Sequence, residues 1–280
     1  MLIHMSTMQT QPVGHLLREW RQRRRMSQLD LACEAEISSK HLSFLETGRS
    51  LPSRDMVLHL AERLEIPLRE RNVLLVAAGY APVFPERALD DPELQAARKA
   101  VDLVLAGHEP YPALAIDRHW TLVAANNAIP PLLTGVATEL LQPPVNVLRL
   151  SLHPAGLAPR IANLPEWRAH LLARLRHQID LTADHMLVEL MRELRDYPPP
   201  DGAQWRSHAI DRNDAGVIVP LRLVTDGGVL TFISTTTMFG TPIDITLSEL
   251  ALESFFPADA ATAAALRGAT GQAEGQQAHG

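Results

Sequence analysis

Two regions of different hydrophobic rhythm predict an all-α domain of five short helices followed by an α+β domain with an antiparallel sheet. Residues 13–79 carry apolar side chains at three- and four-residue spacing, in blocks separated by short polar turns. Beyond residue 93, helical stretches alternate with paired apolar runs around tight turns. The clearest such pair is Val217–Val224 and Val229–Met238, which flank Thr225-Asp226-Gly227-Gly228. A length of 280 residues accommodates two domains, and 46% apolar with 21% charged residues is ordinary globular composition.

Each element has a local reason. Val13, Leu16, Leu17 and Trp20 share one face of a first helix that ends near Arg25, and arginines occupy the other face. Ser27 is placed to cap a second helix with Leu29, Leu31 and Ala32 inward. Ser38 is placed to cap a third with Leu42 and Leu45 inward, leaving Ser39, Lys40 and Ser43 outward. Gly48 and Pro52 interrupt the pattern, and Ser53 opens a fourth helix with Met56, Val57, Leu60, Ala61 and Leu64 at core spacing. Pro67 begins a fifth that runs through Leu68, Leu74 and Leu75 to Gly79. The proline-spaced residues 80–92 read as a connector.

The second domain, residues 93–258, opens with a helix whose Leu94, Ala97, Val101, Val104 and Leu105 face inward. A hairpin of Ala113–Ile116 and Thr121–Ala125 turns at Asp117 to Trp120, helices follow near Pro165–Ile179 and Thr182–Arg195, and a last strand lies in Leu250–Phe256. Residues 1–12 read as a flexible leader in which Met5 and Met8 are candidate starts. Residues 259–280, rich in Ala, Gly and Gln, read as a disordered tail.

A helix backed by a small core, with a short polar row in front, suits the DNA major groove. The net charge of −6 hides an asymmetry: residues 13–80 carry eleven Lys/Arg against nine Asp/Glu, whereas residues 81–280 carry fifteen against twenty-three. Arg18, Arg21, Arg23, Arg24 and Arg25 crowd together just before the polar-faced helix pair, as a phosphate-binding patch requires. The longest apolar runs fall far short of the roughly 18 residues that span a bilayer, and the N-terminus has no export pattern. A single cysteine, Cys33, rules out an internal disulfide and fits a reducing cytoplasm.

Residues 16–66 resemble the lambda-repressor/Cro-like, or Xre, helix-turn-helix family. The matching positions are Leu17, Arg18, Arg21, Ser27-Gln28, Leu31-Ala32, Ile37-Ser38, Leu45-Glu46, Gly48-Arg49, Pro52 and Leu60-Ala61. The resemblance implies that Gln28 bonds a phosphate and braces the recognition helix, and that Ser39, Lys40 and Ser43 face bases and backbone. It also implies that Arg49 contacts a phosphate and that Arg21 pairs with Glu46. Gln28, Ser39, Lys40, Ser43 and Arg49, with Arg24, Arg25 and Ser38, form the expected DNA-binding set, and Arg21 with Glu46 a structural ion pair. Ala32 is small where the third helix crosses the second, and Ile37 fills the corner of the turn. Glu36 departs from the family, which has glycine there in a left-handed turn; an L-residue costs on the order of 1 kcal/mol.

The segments GYAPVFPERALDDPEL, AGHEPYPALAIDRHWTLVAANNA and ALESFFPAD are similar to the MmyB-like regulator family. There the helix-turn-helix is followed by a PAS-like ligand-binding domain, which implies a fatty-acid-like molecule in its pocket. A sheet packed under helices leaves an apolar chamber, for which Leu114, Ile116, Trp167, Leu171, Leu187 and Phe232 are the expected lining.

Other chemistry reads weakly. His170 and His177 near Glu166, and His185 near Glu189, lack the spacing of a zinc motif, so neither metal nor other cofactor is expected. No nucleophile elbow, phosphate loop or dinucleotide fingerprint points to an enzyme. Cys33 is expected to be partly buried and inert rather than a redox sensor. The sequence thus predicts a cytoplasmic homodimer that places two recognition helices on an inverted-repeat operator in double-stranded DNA and responds to a small apolar ligand. Two rivals stand beside it: a second domain that only dimerises, and a metal-dependent enzyme fused to a DNA anchor.

Overall fold

A computed structural model describes residues 11–199, 219–239 and 244–277. Apart from two three-residue segments, the chain divides into one compact unit ending at Arg87 and a second beginning at Ala88.

The first unit contains α1 (Val13–Arg23), α2 (Gln28–Glu34), α3 (Ser39–Glu46), α4 (Arg54–Arg63) and α5 (Leu68–Ala77). Serine caps start three of them: Ser27, Ser38 and Ser53 accept from the backbone N–H of Asp30, His41 and Met56 at 3.1, 3.1 and 3.2 Å. Each satisfies an amide that would otherwise lack a partner, which stabilises a helix start by about 1 kcal/mol. Asp30 returns a bond to the Ser27 amide at 2.8 Å, completing a capping box around α2. Leu17, Leu31, Leu42, Leu45, Leu60 and Leu74 are fully buried in one core.

Gly14 is required where α1 meets the end of α3, since a Cβ there would lie 2.2 Å from the Leu45 carbonyl oxygen. Glu36, between α2 and α3, takes the expected left-handed conformation with φ 53°. Two expectations fail on α2. Leu29 is 64% exposed and Cys33 is exposed, because Leu31, Ala32 and Ala35 define the buried stripe. Residues two apart on a helix differ by about 200°, so Leu29 and Cys33 both point away from Leu31.

The second unit contains α6 (Gln95–Gly107), β1 (Ala113–Ile116), β2 (Leu122–Ala125), α7 (Val147–Leu152), α8 (Leu164–Thr182), α9 (His185–Asp196), β3 (Leu221–Thr225), β4 (Gly228–Met238), α10 (Ile245–Ser248), β5 (Ala251–Pro257) and α11 (Ala260–Gln277). The five strands make one antiparallel sheet in the order β2-β1-β5-β4-β3. Because side chains alternate along a strand, Leu114 and Ile116 join the large core with α8 and α9. Ala113, Ala115 and Leu252 join a smaller one with Val101 and Leu105 of α6.

Val104, expected inward, is instead 48% exposed, one residue off the Val101–Leu105 stripe. The second hairpin starts its first strand at Leu221, while Val217 and Ile218 lie outside the described residues. Its turn ends at Gly228, whose φ of 118° suits glycine. At the C-terminal end, α11 forms where composition predicts a disordered tail. Alanine has the highest helix propensity, the Asp259 carboxylate accepts from the Thr262 amide at 2.7 Å, and the Thr262 hydroxyl accepts from the Thr231 amide of β4 at 3.0 Å.

Candidate nucleic-acid interface and ligand cavity

In the first unit the candidate DNA-reading surface is built by burying the back of α3. Leu42, Leu45 and Glu46 are buried, while Ser39 and Lys40 are exposed and Ser43 is half-exposed in front. Glu46 is the anchor. Its carboxylate accepts from Arg21 Nε at 2.6 Å, from the second guanidinium nitrogen of Arg21 at 2.8 Å and from Gln28 Nε2 at 2.8 Å. Arg21 also donates to the Met26 carbonyl at 2.8 Å, so one charge pair joins α1, α2 and α3. The bidentate contact holds the Arg21 guanidinium above its ordinary pKa.

Not every basic residue expected at this surface projects from it. Arg24 donates to the carbonyls of Leu64 and Glu65 at 2.8 and 2.9 Å, satisfying the end of α4, and burial lowers its pKa. It also stacks 5.5 Å from the Trp20 ring. Arg25 is exposed with φ 57° at the end of α1. Lys40 and Arg49 meet at Phe44, 5.7 and 5.8 Å from its ring. Phe44 was not singled out from sequence; its signal is an aromatic one turn after Lys40, able to hold that long side chain in place.

In the second unit a cavity of about 110 Å³ lies between α8 and the sheet. Of the six expected lining residues, Leu114, Trp167, Leu171 and Phe232 line it; Ile116 and Leu187 do not. Both are buried in the adjoining core instead. Ile116 sits two residues beyond Leu114, nearly 7 Å along β1, and α9, which carries Leu187, contributes nothing to the wall.

The wall also holds residues not foreseen from sequence, namely Trp120, Ser151, Arg174 and Glu253. Arg174 donates to both oxygens of Glu253 and, at 2.9 Å, to the Thr236 hydroxyl. Its guanidinium carbon lies 4.9 Å from the Trp120 ring. Trp120 has φ 64°, costly for a bulky residue and of the order of 1–3 kcal/mol. Its indole donates to Gln178 at 2.8 Å, and the Asp117 carboxylate fixes the turn around it by accepting from the amides of His119 and Thr121 at 2.8 Å each. His170, one turn before Arg174, is kept below its ordinary pKa by burial and then by the Arg174 charge. Among the described residues, no group of three or more His, Cys, Asp or Glu side chains could hold a metal ion, and no helix is long and apolar enough to cross a membrane.

Residues 97–269, more than half of the chain, match the family model of the MmyB-like transcription regulator ligand binding domain. The chain belongs to that family. Residues 12–74 match a helix-turn-helix domain model, so this MmyB-like protein joins a helix-turn-helix domain to a ligand-binding domain of that family. It is similar to a protein of Methanoculleus marisnigri carrying the provisional description of an HTH-type transcriptional regulatory protein, at 35% identity over 116 residues. That match covers 40% of this chain and 37% of the relative, so the chain spans little more than a third of the relative's length.

Proposed function

We propose that this MmyB-like regulator is an Xre-type, cytoplasmic homodimer that reads an inverted-repeat operator through α3 and is tuned by a small, fatty-acid-like apolar ligand in its second unit. The observation that carries the DNA-reading half is the outward row of Ser39, Lys40 and Ser43 on a helix anchored from behind by Glu46. Lys40 donates to a guanine edge, while Ser39 and Ser43 contact neighbouring bases and backbone. Gln28, Ser38, Arg25 and Arg49 serve phosphates and set register. Arg24, bonded to the end of α4, serves mainly to hold the fold.

The apolar wall of the cavity supports the ligand-responsive half. A ligand shifts the dimer between two spacings of its recognition helices only if it binds one arrangement more tightly than the other. The second unit would then be PAS-like in role as well as in resemblance, spanning residues 93–258. Lys40→Ala tests the base-reading role directly. Affinity for operator should fall by about 5- to 150-fold, equivalent to 1–3 kcal/mol, with only a small loss on random duplex. Equal losses on both duplexes would rule out base reading by Lys40.

A further inference from the structure

The cavity wall is apolar apart from Ser151 and one charge pair, and that pair constrains what the cavity admits. Glu253 is 4% exposed. It sits on the central strand β5, in register with Leu114 of β1 and Thr236 of β4. Along β5, alternation sends Glu253 to the same face as Phe255, which also lines the cavity. On the other side, Arg174 follows Trp167 and Leu171 along the cavity face of α8.

The Arg174 guanidinium is already engaged by Glu253 and Thr236 and lies against Trp120, while Thr236 gives Glu253 a second bond at 2.7 Å. The pair is therefore neutral in sum, mutually satisfied and attached to two regular elements. A ligand carboxylate would have two routes into this site. It could displace Glu253 and leave that buried carboxylate without its cation, or it could sit beside Glu253 as a second anion sharing one guanidinium. Either route leaves an uncompensated buried charge or forces a proton onto one carboxylate. An uncharged head needs only one hydrogen bond, accepted by Glu253 or donated by Arg174 or Ser151.

We infer that the cavity selects a neutral ligand, an apolar chain ending in a hydroxyl, amide or ester group, and that the Arg174–Glu253 pair excludes the free carboxylate. This rests on the reading of the cavity as the ligand site and narrows the fatty-acid-like ligand proposed above to uncharged derivatives with the same apolar chain. At about 110 Å³ the cavity is of the size class of the ~150 Å³ apolar site that takes up benzene. Six-carbon probes therefore suit it.

The test titrates the full-length protein with 1-hexanol, hexanamide and hexanoate at pH 7, following the fluorescence of Trp120 and Trp167 and checking by calorimetry. Hexanol and hexanamide should bind more tightly than hexanoate by on the order of a hundredfold or more, the cost of protonating a carboxylate of ordinary pKa ~4.3 at that pH. Glu253→Gln, which keeps the shape but unmasks the Arg174 charge, should reverse the order. Hexanoate binding as tightly as hexanol in the wild type would overturn the neutral-head inference and leave the cavity as a ligand site. A folded Glu253→Gln protein with the wild-type order would also overturn it. Failure of all three probes to bind the wild type would overturn the cavity reading itself and the inference with it. If Glu253→Gln does not fold, the wild-type comparison decides alone.

Discussion

Each unit pairs an arginine with a buried glutamate, and the pairs differ in what lies beside them: Arg21 is buried as well, whereas the Arg174 side chain is 26% exposed. Arg21–Glu46 is enclosed by packed helices, with Gln28 as a third partner. Arg174–Glu253 is equally well bonded but borders a cavity, with Trp120 beneath the guanidinium. A buried pair in a filled core fixes the relative placement of helices, since removing either partner strands the other charge. A part-buried pair on a cavity wall does that and also presents its charge distribution to whatever enters. The chemistry is the same in the two units; the neighbouring empty space separates a positioning role from a selecting one.

The contrast is sharpest in stability. Glu46→Ala should destabilise the first unit by about 3–5 kcal/mol, because Arg21 is left buried and unpaired. Urea unfolding followed by circular dichroism checks this. Replacing both partners with apolar residues of similar volume should cost clearly less; a double variant that loses as much as the single one would argue against a role for the stranded charge.

Gly14→Ala tests the packing that the first pair supports. A Cβ 2.2 Å from a backbone oxygen forces α1 away from α3, and overpacking of this kind costs about 1–3 kcal/mol. The thermal midpoint should fall accordingly, and unchanged melting would mean that α1 and α3 do not approach so closely.

Most of the first unit was legible because its determinants are local. Three serines at N-cap positions and the Leu17, Leu42 and Leu45 stripes act within a few residues. The Arg21–Glu46 pair came through family resemblance rather than periodicity, since its partners lie 25 residues apart. Cys33 and Leu29 were misplaced because a seven-residue helix offers too few apolar positions to fix its rotation to within a residue.

In the second unit the hairpins and long helices followed from turn residues and spacing, but the cavity did not. Lining and core residues share one composition: Leu114 lines the cavity and Ile116 does not, although both face the same side of β1. One signal was present. Glu253 occupies an inward strand position and Arg174 an inward helix position, and two opposite charges on faces that should be apolar suggest an ion pair 79 residues apart.

The smallest expected effect concerns pH. In the second unit Arg149 and Tyr197 hydrogen bonds hold the Glu193 carboxylate below its ordinary value of 4.5. Asp184 is held below 3.8, with burial opposing the His119 and Met186 hydrogen bonds and the His119 and Arg118 charges that lower it. A group with a depressed folded pKa contributes stability that is complete above its unfolded pKa and lost as pH falls through the folded one. Acid titration from pH 5 downward should therefore weaken the second unit progressively, and Glu193→Gln should flatten that dependence. A variant as acid-sensitive as the wild type would show that Glu193 is not a source of it.

The central claim is that α3 of a dimer reads DNA sequence. Selection of duplexes from a random pool by the full-length protein tests it most directly. An inverted repeat with half-sites about one helical turn, 10–10.5 base pairs, apart is the expected product. Recovery of duplexes with no common sequence would contradict the account.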